Sequence, residues 1–239
     1  MILEKIEVLS DDNVSGSSEL ILKAIDIYVE AIGTNVNLNE VKNQIIGAKP
    51  SMVGIRNILD RIDELLVEIP KSEIKSMIYR EFQTSREATI NSTVEYLLGN
   101  SVGNVFTCSY SSSVLEVLEN YFSLKADSSL YAVNSFWKGI NYGKFYKQKL
   151  SKEIGRIKLI DIDEIFYNNK SIGLLGADQI VRDKYIVNGF PSKEFAERLN
   201  DLGVPLLIVA ERFKVTDIGI IEDGFEEVPF HLIAKIISY

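Results

Sequence analysis

The residues best placed to do chemistry fall in one stretch, Asn104 to Leu118, which reads NVFTCSYSSSVLEVL. It opens on a short β-type run, Val105-Phe106-Thr107, and closes on a helical pattern carrying Val114, Leu115 and Leu118. Between them lies a polar turn, Ser109-Tyr110-Ser111-Ser112-Ser113. A strand feeding a serine-rich helix start is an anion cradle, because free backbone N–H groups and the positive end of the helix dipole converge there. In open α/β sheets, ligands sit at the carboxyl ends of strands. Ser109, Tyr110, Ser111 and Ser112 are therefore candidate ligand-binding residues.

A second stretch, Gly173-Leu174-Leu175-Gly176-Ala177-Asp178, is a buried-strand pattern ending in two small residues and a carboxylate. An acid in that position faces the ligand crevice, which makes Asp178 a candidate site residue; the plainer reading is a cap on the next turn. A third, Val187-Asn188-Gly189-Phe190-Pro191-Ser192, reads as a strand-to-helix loop, with Asn188-Gly189 as turn signal and Ser192 as N-cap. Cys108 is a weaker catalytic candidate. Strand alternation puts Cys108 and Ser109 on opposite sides. A nucleophilic thiol needs a basic neighbour to lower its pKa, and none is nearby in sequence, so the plainer reading is a small buried hydrophobe. His231 reads as a helix-start residue, not a catalytic base.

These residues need elements to hold them, and the pattern changes near Gly99–Gly103. Before it, the chain reads as helical. Leu20, Ile21, Ala24, Ile25, Tyr28 and Ile32 form one stripe, with Ser15 or Ser17 as cap and Gly33 as stop. A helix over Leu38 to Ile46 is capped by Asn37 or Asn39. Ile55, Ile58, Leu59, Ile62, Leu65 and Leu66 form a third stripe, stopped by Pro70, and a longer helix runs from Ser72 to Leu98. After the boundary, strands are expected at 105–109, 130–134, 156–161, 172–176, 185–188 and 206–210. Helices are expected at 112–122, 139–152 and 192–202. That alternation predicts a parallel sheet covered on both faces.

Composition narrows the classes of function. The 239 residues are 46% hydrophobic and 25% charged, with a net charge of −8. An acidic chain is a poor match for nonspecific nucleic-acid binding, which rests on phosphate neutralisation. The basic run from Lys144 to Lys152 reads as the wet face of a helix. One cysteine and one histidine exclude an intrachain disulfide and a zinc cluster. A reducing cytoplasm fits that cysteine usage. The longest apolar runs are too short to span a bilayer, and the N-terminus lacks a cleavable signal pattern. The glycine-rich fingerprints GxGxxG and GxxxxGK[ST] are absent, so neither a dinucleotide enzyme nor a P-loop NTPase is expected, and no cofactor or metal.

Three stretches in order, TCSYSSSVLEVL, GLLGADQIV and YIVNGFPSKEFAERLNDLGVPLLIVAERFKV, together resemble one family. It comprises the alpha, beta and delta regulatory subunits of translation initiation factor 2B, together with methylthioribose-1-phosphate isomerase and ribose-1,5-bisphosphate isomerase. SGSSEL at Ser15, GAKPSM at Gly47, IDIDEIFYNN at Ile160 and VPFHLIAKIIS at Val228 extend the likeness to nearly the whole chain. The resemblance implies a helical N-terminal domain, 1–99, and a Rossmann-like α/β domain, 100–239, through which such proteins often dimerise. The isomerases open an aldose 1-phosphate to its ketose with a cysteine and an aspartate, while basic residues hold the phosphate. Asp178 matches that aspartate. The cysteine position falls on Ser109, and Cys108 falls where the family usually has histidine. An arginine that helps hold phosphate matches Phe136, and a lysine of the same purpose matches Gly189, although the neighbouring Asn188 is retained. A further arginine matches Lys49, which keeps charge but loses bidentate geometry. Tyr110 and Ser111 look more like the regulatory subunits.

The resemblance thus implies a divergent, non-catalytic member, binding a phosphorylated sugar or nucleotide through Ser109, Tyr110, Ser111, Ser112, Asn188 and Lys49, or acting as a regulatory subunit. A homodimer, or a pairing with a related subunit through the C-terminal domain, is expected. The alternative is a sugar-phosphate isomerase that uses Asp178.

Overall fold

The computed structural model describes residues 2–150, 152 and 156–239. In the N-terminal half, apolar residues three and four apart wind into five helices: α1 (Ile2–Asp11), α2 (Ser17–Ile32), α3 (Leu38–Ala48), α4 (Val53–Glu68) and α5 (Lys71–Gly99). The stripe on α2 is fully buried and is packed by the other four. α4 supplies Ile55, Ile58, Leu59, Ile62 and Leu65 to the same core. Asn37 caps α3 by accepting from the backbone N–H groups of Asn39 and Glu40. On α2 the expected serine cap is replaced: Gly16 is the N-cap, Ser17 is the first helical residue, and no side chain caps the end.

α5 belongs to both halves. Ile74, Ile78 and Phe82 pack in the helical core, whereas Ile90, Val94 and Leu97 pack against the sheet.

The C-terminal half holds β1 (Asn104–Thr107), α6 (Ser112–Leu124), β2 (Ser129–Val133), β3 (Phe136–Trp137), β4 (Ile140–Asn141), α7 (Gly143–Lys149), β5 (Ile157–Ile160) and β6 (Ser171–Gly176). It continues with β7 (Gln179–Val181), β8 (Tyr185–Gly189), α8 (Ser192–Asp201), β9 (Leu206–Val209), β10 (Val215–Thr216), β11 (Phe225–Pro229) and β12 (Lys235–Ile237). Six of these strands form one sheet in the order β12-β9-β6-β1-β2-β5, and every pairing in it is parallel. Counting only those six in chain order, the arrangement is the Rossmann order, with its switch point between β1 and β6. Alternation along each strand feeds two cores. Val105, Leu174, Leu207 and Val209 meet α5, α6 and α7; Phe106, Leu175, Leu206 and Ile208 meet Phe195, Ala196 and Leu199 of α8. Both faces are covered, so the strands read as continuous apolar runs.

Four further expectations change. The strand at 185–188 is real but lies outside the parallel sheet: β8 pairs antiparallel with β7 and β11 in a second sheet, β10-β7-β8-β11. The expected helix at 139–152 begins instead at Gly143, because Phe136–Trp137 and Ile140–Asn141 form a hairpin. Its two turn residues, Lys138 and Gly139, both have positive φ, which matches strand twist. Residue 151 of that expected helix lies outside the described residues. The strand from Val105 stops at Thr107, so Cys108 and Ser109 follow it. Ser192 is the first residue of α8 rather than its cap, which is Pro191; its hydroxyl donates to Gly189 O.

Candidate functional site

A cavity of about 280 Å³ opens at the switch point. Its sheet side is made by residues just past the two central strands, Ser109 and Tyr110 after β1 and Asp178 after β6. The helical half closes it with Ser15, Gly16 and Ser17 at the start of α2, and with Lys49, Ser51 and Met52 before α4. The β3–β4 hairpin brings Trp137 and Lys138, and the segment before β11 brings Glu222, Asp223 and Gly224. Gly224 has φ +89°, and a Cβ there would lie 2.4 Å from Trp137. Only glycine fits both the backbone and the indole.

The cradle expected at the head of α6 is closed. The Ser109 N–H donates to Ser135 Oγ at 3.0 Å, and the Ser111 N–H to the Tyr146 hydroxyl at 3.2 Å. Ser111 Oγ caps α6 by accepting from the Val114 N–H. Ser111 also packs so near Gly176 that a Cβ there would lie 2.5 Å from its hydroxyl, and Gly16 lies over Ser112. Ser111 and Ser112 therefore build the junction of α2, α6 and β6, while Ser109 and Tyr110 line the open space.

The open polar surface lies across the cavity, at the head of α4. There the Ser51 N–H donates to Glu222 Oε2 at 2.7 Å. Ser51 Oγ is buried and has no hydrogen-bond partner. Lys49 stands in the same turn; its half-burial lowers its pKa, opposed by the charges of Asp12, Glu222 and Asp11. Asp178 is buried beneath, and that burial raises its carboxyl pKa, although Lys214 and a hydrogen bond from Ser17 pull the other way. The cavity thus carries Lys49 and Lys138 against Asp12, Asp178, Glu222 and Asp223, with Asp12 ion-paired to Lys23.

A second polar cluster sits behind Asp178. Glu211, fully buried, follows β9; its Oε1 accepts from Ser18 Oγ of α2 (2.8 Å), Ser113 Oγ of α6 (2.7 Å) and Arg86 Nη1 of α5 (3.0 Å). Its Oε2 lies 2.9 Å from Lys214 Nζ. Burial alone would raise the Glu211 carboxyl, but Lys214, Arg86 and the hydrogen bonds outweigh it and hold it at about 2.

A family model described as the initiation factor 2 subunit family, IF-2B, matches residues 6–229. The chain belongs to that family. A putative translation initiation factor eIF-2B subunit 2-like protein from Pyrococcus furiosus is 22% identical, the match covering 89% of this chain and 79% of the relative. The solved structure of Pyrococcus horikoshii OT3 eIF-2B superposes with a TM-score of 0.82 at 18% identity, covering 99% of this chain and 94% of that one. The 5-methylthioribose 1-phosphate isomerase of the same organism superposes with a TM-score of 0.69 at 17% identity, covering 99% and 82%. At such identities these likenesses establish the fold.

Within the IF-2B fold, the residues singled out in the sequence separate into two groups. Asp178, Ser109, Tyr110 and Lys49 meet around the cavity. Cys108, Asn188, Ser111 and Ser112 are buried or packed outside it. Cys108 points into the core on the α8 side, with its Sγ 3.8 Å from Ser192 Oγ, and burial pushes its pKa up. Asn188 Nδ2 donates to the same Ser192 hydroxyl at 2.8 Å. Phe136, at the position of a family arginine, is exposed, whereas its neighbour Trp137 reaches the cavity.

Sequence reasoning missed Ser51, Trp137, Lys138, Glu222 and the Glu211 cluster. Gly139 was a usable signal for the hairpin, and two charges three apart directly after an apolar strand were one for Glu211 and Lys214. Glu222 carried none, because its partner is 171 residues away. Among the described residues, no group of three His, Cys, Asp or Glu side chains is placed to hold a metal, and no helix is long and apolar enough to cross a membrane.

Proposed function

We propose that this chain is a non-catalytic IF-2B family member, a regulatory or assembly subunit whose cavity takes a phosphorylated sugar or nucleotide without turning it over. The observation that carries this reading is the pair Cys108 and Ser109. The only thiol faces the core, and the residue that does line the cavity is an alcohol. A serine nucleophile needs an adjacent base. Asp178 shares the cavity wall, but burial favours its neutral form, which is a poor base. Lys49 and Lys138 are the side-chain cations available to a phosphoryl group there.

A homodimer, or assembly with a related subunit through the C-terminal half, is part of the same proposal, as is a cytoplasmic setting. In its support, Phe166 and Tyr167 are exposed after the edge strand β5, Phe166 lying edge-on to Phe106 and Tyr131. Two adjacent aromatic side chains beside an edge strand offer apolar area that a partner chain could cover.

The test is direct. Purified protein incubated with ribose 1,5-bisphosphate or methylthioribose 1-phosphate is expected to yield no ketose product. Turnover that Asp178→Asn abolishes would overturn the proposal in favour of the isomerase reading. That second reading draws its support from the buried Asp178, whose raised pKa suits a general acid.

A further inference from the structure

We infer that Glu222 sets the affinity of the cavity: its carboxylate occupies the anion position at the head of α4, and an incoming phosphoryl group binds by displacing it. This rests on the phosphorylated-ligand reading above and adds what controls it. The Glu222–Ser51 contact has the length of a charge-assisted hydrogen bond. Ser51 directly precedes Met52, the N-cap of the 16-residue α4, so this contact lies beside the positive end of that helix.

The carboxylate leaves the position incompletely used. Ser51 is 1% exposed and lines the cavity, yet its hydroxyl has no partner. Buried hydroxyls are ordinarily paired, and an unpaired one is costly. Glu222 takes only the backbone donor of Ser51. A phosphoryl group has three terminal oxygens. It offers acceptors for the Ser51 N–H, for the Ser51 hydroxyl and for Lys49, the cation of the same turn. Glu222 is borne on the segment between β10 and β11, which Gln179 holds through the N–H and carbonyl of Ile220. The side chain can therefore swing away while its backbone stays. Phosphate entering with Glu222 still in place would meet a like charge, and Asp223 adds another at the cavity wall.

Inorganic phosphate is the probe, titrated by calorimetry into the wild-type protein, Glu222→Gln, Glu222→Ala, and Glu222→Ala combined with Lys49→Ala. Glu222→Ala is expected to bind about tenfold tighter or more, the scale of relieving a like-charge contact. Glu222→Gln, which keeps shape and an acceptor but no charge, is expected to gain as well and guards against misfolding of the alanine variant. Adding Lys49→Ala is expected to remove the gain. Equal binding by wild type and both Glu222 variants would overturn the role of Glu222 and leave the ligand reading standing. Binding by none would overturn both. A gain that survives Lys49→Ala would place the phosphate elsewhere and overturn the inference.

Discussion

Glu211 and Glu222 are both carboxylates of the C-terminal half answered by groups of the helical half, and they are treated in opposite ways. Glu211 is sealed: one oxygen takes three hydrogen bonds, the other an ammonium group, and solvent reaches none of it. Glu222 stands at the rim of a cavity, takes one backbone N–H, and leaves the hydroxyl beside it unpaired. The Glu211 cluster is enclosed and ion-paired, with no open space beside it; its elements come from α2, α5, α6 and the segment after β9, so it joins the two halves. An unsaturated cluster beside open space has capacity to spare. Burial separates the two: Glu211 is fully enclosed and held by Lys214 and Arg86, whereas Glu222 is partly exposed beside open space.

The largest effect expected from breaking this contrast is Glu211→Ala. It strands the buried ammonium of Lys214, while Arg86 keeps its ion pair with Glu116; breaking a buried pair in this way costs about 3–5 kcal/mol, readable by urea denaturation. The pH dependence follows from the depressed pKa. Stability from Glu211 is full above the ordinary carboxylate range and is lost as pH falls toward about 2. The alanine variant is expected to lose that acid limb of the stability profile.

Cys108→Ser comes next. It puts a hydroxyl in an apolar core at a cost of about 1–3 kcal/mol, with phosphate affinity unchanged. A thiol reagent is expected to label the native wild-type protein only as it unfolds. Labelling in the folded state, or a change in binding, would move Cys108 to the cavity side. Asp178→Asn acts in the opposite direction. A carboxyl whose folded pKa is raised stabilises fully below its unfolded pKa, and that contribution is lost as pH rises through the folded value. The amide removes this loss, so the variant is expected to be the more stable protein at neutral pH and to lose the advantage in acid, readable by urea denaturation. The smallest effect is that of Glu222→Gln, expected to shift stability by less than about 0.5 kcal/mol, as rim substitutions do, while changing affinity. A large stability loss there would erase the contrast with Glu211.

The helical stripes and the continuous apolar strands were legible in the sequence because burial enforces a period. Asn37 was legible as a cap because the chemistry of a cap is local. The β7–β8–β11 sheet was not, since Tyr185–Gly189 has the same local composition whether it pairs parallel or antiparallel; what decides is Phe225–Pro229, far along the chain. For the cavity, Ser109 and Asp178 could be read because strand ends at a switch point are fixed by topology. Asn188 lies within β8, where its amide donates to Ser192 away from the cavity, because Phe225–Pro229 pairs with this segment and extends the strand through the expected turn. Ser51 and Glu222 become a pair only once the two halves are docked.

The 29 residues of α5 extend about 43 Å at 1.5 Å per residue. One end is set in the helical core, the other against the sheet, and Arg86 of the Glu211 cluster lies between them. A rod set in two cores ties them together, so a substitution along α5 is felt in the helical layer and in the sheet alike.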